Sequence, residues 1–550
     1  MPAITQTCRV TGNPFMVSEW EQEFLKRMDI PLPTLCIEER HRRRLAHRNE
    51  RSIYKDTSDL SGKSIISLYS EDKPFKVYAQ DEWWGDAWDP RDYGRDYDFS
   101  RGFFEQFAEL RKSCPRLSLM NVRAENSEYC NITNSNKNCY LVFGGDYCEE
   151  CTYSIFSMHC TNSSDCYWVN KSTLTYDSID CNNCYNVKYS QNTHNSRDSA
   201  FLFECRNCSN CFGCVGLRNK EYYIFNKKYS KEEYEKKMRE FRLDTWSGVQ
   251  HMKKEFAKFK LQFPHRFANI VNSEHSTGDQ IVNAKNCVNC FDIEGPAEDC
   301  KDIFFGGYEA KDMVSSDHVG FKAELYYEML GSIEGYNCAF CSFSWNSQNT
   351  FYCDMVVNSK NLFGCTSMHN AEYCILNKQY TKDAYEDLRA RIVAQMKETG
   401  EWGEFFPIED SLWAYNETVA QDVFPLSKKE VLERGWQWKD EEVRDTQSRP
   451  EIPDSIHDVT DEILQKTLVC EASGRPYRIV PQEMKLYRQL GIPIPRFAPE
   501  TRNKMRIQMR NPRFIWDREC AKCSAEIATS YAPDRPEIVY CEKCYLESLN

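Results

Sequence analysis

Cys520-x2-Cys523 and Cys541-x2-Cys544, with 17 residues between the pairs, are the positions whose type and spacing most directly imply chemistry. Two CxxC pairs bracketing a short β-rich segment present four soft thiolates with the bite that tetrahedral zinc prefers. Four cysteine ligands leave no position for water, so the expected cofactor is one structural Zn2+. Such a site is worth on the order of 10 kcal/mol of folding free energy at neutral pH. The intervening IATSYAPDRPEIVY reads as a hairpin turning at Asp534–Pro536, which brings the two knuckles together.

Two rows of arginine have helical spacing. Arg40, Arg44 and Arg48 recur at i, i+4 and i+8, and Arg502, Arg506 and Arg510 repeat the pattern. On a helix each row faces one way. A row of about 12 Å could follow a phosphate backbone. Trp516, with Phe514 and Tyr54, offers aromatic surface nearby for base stacking. RNA, DNA or an acidic protein surface is the partner class this implies. The competing reading is internal, with the rows paired to the acidic stretch around Glu401–Glu442 or to the opposite end of the chain.

Cys205-x2-Cys208-x2-Cys211-x2-Cys214 invites an iron–sulfur reading and with it a redox function. A ferredoxin run places three residues before its last Cys and Pro after it; here the gap is two and Val215 follows. Val356, Ser359, Leu362 and Cys365 replace the run in a later repeat. Core fillers exchange with residues of similar size more readily than ligands do, so buried packing is the favoured reading. Cys148/Cys151, Cys181/Cys184, Cys287/Cys290 and Cys338/Cys341 fall under the same judgement. The ten histidines make no HxxxH, HxE or CxH pattern, and no GxSxG, P-loop or GxGxxG occurs. No catalytic residue is assigned, and an enzyme working on carbohydrate in a solenoid groove stays as an alternative.

The elements that must position these residues come from two duplications. Cys8–Trp84 shifted by 462 positions onto Cys470–Leu546 gives twenty identities over 77 positions, among them Gly12/Gly474, Glu21/Glu483 and all three arginines of each row. The four cysteines of the second copy fall on Ser58, Ser61, Ala79 and Glu82 of the first. Four positions that change together behave as one site, so the first copy is expected to be metal-free and to fold by apolar packing. Inside this frame, Asn210–Glu235 matches Asn361–Glu386 at 14 of 26 positions, an offset of 151.

Within the inner blocks, runs such as NCYLVF, DCYWV and NCYNVKY alternate with Asn/Ser/Asp-rich turns. Units about 18–27 residues apart predict coils of a parallel β-solenoid, with aromatic and Cys side chains inward and Asn at the bends. Helices over 230–260 and 381–398, capped by Ser230 (with Glu233) and Thr381, are expected to cover the open ends. The fold class is thus mainly β, with two tandem solenoid blocks and capping helices flanked by two homologous α+β zinc-ribbon-like modules. The boundaries are a degenerate module at 1–85, an aromatic connector at 86–120, blocks at 121–265 and 266–400, an acidic linker at 401–469 and the zinc module at 470–550.

Composition bounds the rest. A hydrophobic fraction of 41% with 13% aromatics argues for well-packed cores. No apolar run approaches a membrane span, and the first residues show no export signal, so a cytoplasmic protein is expected, in which the 28 cysteines stay reduced. The net charge of −13 disfavours general coating of nucleic acid and leaves only bounded basic faces.

The front of each module resembles the small zinc-ribbon or treble-clef family with the pattern C-x2-C-G-x2-F, Glu, aromatic, P and C-x2-C-R. Here it reads Cys8-x2-Thr11-Gly12-x2-Phe15, Glu21, Phe24, Pro31, Cys36-x2-Glu39-Arg40, and later Cys470-x2-Ser473-Gly474-x2-Tyr477, Glu483, Pro493, Ala498-x2-Thr501-Arg502. The resemblance implies a knuckle–helix fold, but with two and three of four ligands missing it implies no zinc at these half-sites. As a whole the chain resembles Cys-rich repeat proteins of small-genome uncultivated bacteria, a resemblance that implies no activity. The reading is a zinc-containing binding or scaffold protein.

Overall fold

A three-residue rhythm builds the body of the molecule. The computed structural model describes residues 2–440 and 450–549. Asn183, Asn186, Tyr189, Asn192, Asn195 and Asp198 all take positive φ, between 48° and 54°, and such residues recur at every third position through most of both blocks. Each left-handed residue turns one corner, and four short sides close a coil. Asn, Asp and Gly dominate many of these corners because they adopt this region at least cost. The chain therefore meets itself 12 residues on, as in the Asn183–Asn195 and Asn207–Asn219 side-chain ladders. Strands stack parallel in the same step: Tyr185 beside Arg197, Arg197 beside Ser209 and Ser209 beside Glu221. In the second block three coils are longer, with a 13-residue step from Asn289 to Asp302.

This corrects two expectations. The coil is shorter than 18–27 residues because one αL residue makes each corner, with no multi-residue turn. The interior is then narrow, and few rings enter it; Tyr326, stacked between Met313 and Cys338 in the second block, is one that does. In the first block it is filled by small side chains such as Cys181, Cys184, Val187 and Ser190, all 3% exposed or less. Most aromatics stand on the outside of the coils, where Tyr176, Tyr189, Phe201 and Phe212 pack under Tyr234, Val249, Met252 and Phe256 of the covering helices.

Inward serines explain how so tight a tube satisfies its backbone. Ser190 Oγ donates to the Lys188 carbonyl and accepts the amide of Leu202 in the next coil. Ser196 and Ser199 do the same for the amides of Cys208 and Cys211. Buried backbone groups need such partners.

Each block ends in an antiparallel hairpin, Glu221–Ile224 with Lys227–Lys228 and Glu372–Ile375 with Lys378–Gln379. Covering helices follow at Lys231–Glu240, Trp246–Lys260 and Lys382–Thr399, with the Ser230–Glu233 capping box and the Thr381 cap in place. The acidic stretch is more than a spacer: Trp402, Phe405, Phe406 and Tyr415 join the core over the second block. Its helix, Lys428–Glu433, begins at a Ser427–Glu430 capping box.

The modules dock crosswise. Helix Ile37–Leu45 of the first lies on strand Ala310–Gly320 of the second block, and helix Pro499–Gln508 of the second lies on Ser164–Asn170 and Tyr176–Asn182 of the first. The rear strand of each module instead pairs just ahead of a block: Val77–Tyr78 with Arg116–Leu117, and Ile538–Tyr540 with Pro264–Arg266. The blocks meet through corner residues, with Phe305 4.9 Å from Phe156 and 4.7 Å from Trp168 between ring centres. The two ends touch through Arg51 and Glu500 at 3.8 Å. Among the described residues no helix is long and apolar enough to cross a membrane.

Candidate metal centre and arginine clamps

The four predicted ligands come together. Strand Trp516–Glu519 leads into a knuckle in which the Cys520 amide bonds Ala525 O at 2.8 Å and the Ser524 amide bonds Cys520 O at 2.9 Å. Ser524 takes φ 59° to close it. Cys541 occupies the N-cap of helix Glu542–Ser548, which places Cys544 one turn on. The Sγ atoms of Cys520, Cys523, Cys541 and Cys544 all lie within 4.8 Å of one another, and no other such group of three or more occurs among the described residues. Cys523 and Cys541 stand 3.8 Å apart.

The Cys541 amide donates to Cys520 Sγ at 3.2 Å. Burial raises the Cys520 thiol, but the amides of Cys541, Cys523 and Lys522 outweigh this and bring it down to about 6. Burial and the neighbouring thiols push Cys544 up to about 12. A divalent cation would replace the proton held there, and an all-sulfur set selects a soft or borderline ion. The hairpin expected between the CxxC pairs does not form. Glu526–Thr529 turns back on Trp516–Glu519 across the knuckle, and Ile538–Tyr540 leaves to pair with Pro264–Arg266.

The same knuckle occurs four times. Cys8, Ser58 and Cys470 each make the two amide bonds seen at Cys520, with Gly12, Gly62 and Gly474 at φ 72°, 77° and 69° in the place of Ser524. The residue after each is zipped to the chain ahead of the helix: Arg9 to Thr34, Asp59 to Val77, Glu471 to Arg496 and Ala521 to Val539. Cys36, Ala79, Ala498 and Cys541 are the matching helix caps. Where ligands are missing, hydrogen bonds stand in. Ser58 Oγ donates to the Glu82 carboxylate, which also takes the Ala79 amide at 3.3 Å, so this unit does not rely on apolar packing alone. Cys470 Sγ lies 3.4 Å from Thr501 Oγ1, itself 3.3 Å from Ser473 Oγ.

The ring of Cys205, Cys208, Cys211 and Cys214 is one coil seen from inside, a sulfur on each side. Each Sγ faces two carbonyl oxygens: Cys205 those of Phe203 and Cys214, Cys208 those of Arg206 and Leu217, Cys211 those of Ser209 and Lys220, Cys214 those of Phe212 and Tyr223, at 3.2–3.5 Å. Carbonyl oxygens accept a thiol proton and repel a thiolate. The four sulfurs fill the core of the coil and act on one another: contacts with Cys205 and Cys211 lower Cys208, and contact with Cys208 raises Cys211.

The arginine rows are buried clamps. Arg44, fully buried, reaches Asp317 at 2.5 Å and Glu328 at 2.7 Å, and Arg506 reaches Asp165 at 2.8 Å and Asp177 at 3.5 Å. Arg40 meets Glu21 at 3.5 Å, as Arg502 meets Glu483 at 3.3 Å. Arg48 and Arg510 lie past their helix ends, on Glu50 at 2.6 Å and Asp292 at 2.5 Å. Burial raises the Asp292 carboxyl, but Arg510 and Arg513 outweigh it and hold it at about 2. These guanidiniums are committed within the chain, largely to solenoid acids, and the acidic stretch supplies none of these partners. Asp177 and Glu328 stand at the duplication offset of 151, a signal that could have exposed the pairing. Trp516, half-buried, packs on Phe514 with ring centres 4.5 Å apart.

No protein-family model and no curated protein matches the chain. Among solved structures, one described as an acetyltransferase from Desulfovibrio desulfuricans G20 is similar over 46% of this chain at 13% identity. The chain spans 63% of that structure's length, and the TM-score of 0.10 is too low to bear on fold or function.

Proposed function

We propose that the chain is a zinc-stapled scaffold, in which one treble-clef-like unit retains a structural zinc and three homologous units have exchanged the metal for hydrogen bonds. The observation that carries this is the four-thiol cluster on a unit whose rear strand pairs with the entry to the second block. Cys520, Cys523, Cys541 and Cys544 would hold the ion, and its contribution is to fix the knuckle against the helix. The cysteines are free thiols, which fits a reducing cytoplasmic location. With the arginine rows occupied, the cleft of about 1290 Å3 where the two ends touch does not favour a nucleic acid or acidic protein partner, because acids such as Glu71, Asp72, Asp422 and Glu500 outnumber the bases that line it.

Hydrogen exchange before and after chelation tests the reading. Loss of protection at 264–266 and 520–545, with 116–117 unchanged, is expected. Unchanged exchange throughout would refute a structural metal.

A further inference from the structure

Cys8 and Cys36 stand where Cys520 and Cys541 stand in the metal centre, one on a knuckle and the other at a helix N-cap. Thr11 and Glu39 occupy the other two ligand positions, so a dithiol is left. The backbone around it is unchanged: the Cys8 amide bonds Asn13 O at 2.8 Å, and the Arg9 amide bonds Thr34 O at 2.9 Å. The Cys8 and Cys36 side chains share one small buried cluster. Leu35 and Phe15 pack around the pair. Of the four units, this one alone keeps one thiol on each of the two facing elements without the full metal set.

We propose that Cys8 and Cys36 are a reversible disulfide pair, oxidised by a small hydroperoxide, that closes the vacated metal site with a sulfur–sulfur bond. The Cys8 thiolate attacks a peroxide oxygen, the O–O bond breaks, and Cys8 becomes a sulfenic acid as the leaving oxygen takes a proton. The Cys36 sulfur then attacks Cys8 sulfur. The S–S bond forms, the S–O bond breaks, and the departing hydroxyl carries off the Cys36 proton as water. The two thiols lose two electrons together and the peroxide gains them. Exchange with a small thiol reverses the step.

The surroundings divide the roles. Burial raises Cys8, but the Cys36 amide and the Thr11 hydroxyl outweigh it and bring the thiol to about 7. Burial pushes Cys36 up to about 12, so it keeps its proton until it resolves the sulfenic acid. A low thiol beside a protonated one is the arrangement redox pairs use.

The test is peptide mapping of the full-length, zinc-loaded chain after brief hydrogen peroxide, with alkylation under denaturing conditions. The expected product is a Cys8–Cys36 linked peptide, two hydrogens lighter and lost on dithiothreitol treatment. Cys36→Ser should trap Cys8 as a dimedone-reactive sulfenic acid, and Cys470→Ser should leave the link intact. Both cysteines recovered as alkylated thiols while glutathione in the same tube is oxidised would overturn the proposal. So would Cys8 joined to any other cysteine. If Cys36→Ser does not fold, the wild-type map decides alone.

Discussion

Cys520 receives an amide hydrogen at sulfur, whereas Cys208 faces the carbonyls of Arg206 and Leu217. The amide hydrogen favours a thiolate at Cys520, while the Cys208 sulfur is enclosed among the other thiols of its coil. Cys523→Ser is therefore expected to abolish metal binding. Cys208→Ser should leave metal content unchanged and shift stability by about 1 kcal/mol, because inward serines already make the same bond to the i−2 carbonyl. Metal analysis beside urea unfolding checks both. The arginines make a sharper prediction. Arg44→Met leaves Asp317 and Glu328 buried without their nearest guanidinium and should cost on the order of 3–5 kcal/mol, read from the denaturant midpoint. Were Arg502 or Arg506 instead phosphate contacts, substitution would flatten a salt-dependent affinity and spare stability. The Asp292 pair adds a pH dependence. With its folded value at about 2 and an unfolded value near ~4, its stabilisation is complete above the unfolded value. It disappears as pH falls through the folded one. Asp292→Asn should remove that acid limb from a stability–pH curve.

The elements were legible to different depths. The capping helices could be read because Ser230 and Glu233 act within one turn. The coil period could not, because the eye follows runs such as DCYWV, whose aromatics lie outside the tube. The thiols carry the rhythm: Cys130, Cys139, Cys148, Cys151, Cys160, Cys166, Cys181, Cys184 and the Cys205 run all fall in one phase of a three-residue count. The hairpin at Asp534 failed because Ile538–Tyr540 is claimed by a strand far away in sequence, a competition no local pattern reveals. The corner geometry has a measurable cost. Asn195 holds φ 51°, so Asn195→Val should lower stability by about 1–2 kcal/mol. A smaller loss than at a surface loop would remove the αL account.

At the scale of the whole molecule, the duplications gave the order of parts but not their docking. Each module contributes a front helix to one block and a rear strand to the other, so the chain closes on itself. The two halves keep the same contacts in different currency. Glu21–Arg40 and Glu483–Arg502 repeat, as do Arg44–Glu328 and Arg506–Asp177, while one knuckle keeps four thiols and another keeps Ser58 and Glu82. That the arginines face inward was hidden because spacing tells which residues share a helix face and not what covers it. The central claim is a single metal in an otherwise metal-free, thiol-packed frame. Zinc and iron per chain, measured by elemental mass spectrometry on anaerobically purified protein and on Cys523→Ser, test it most directly. The expected result is about one zinc and no iron for the native chain, with the zinc lost in the variant. Several irons per chain, or zinc retained in the variant, would contradict it.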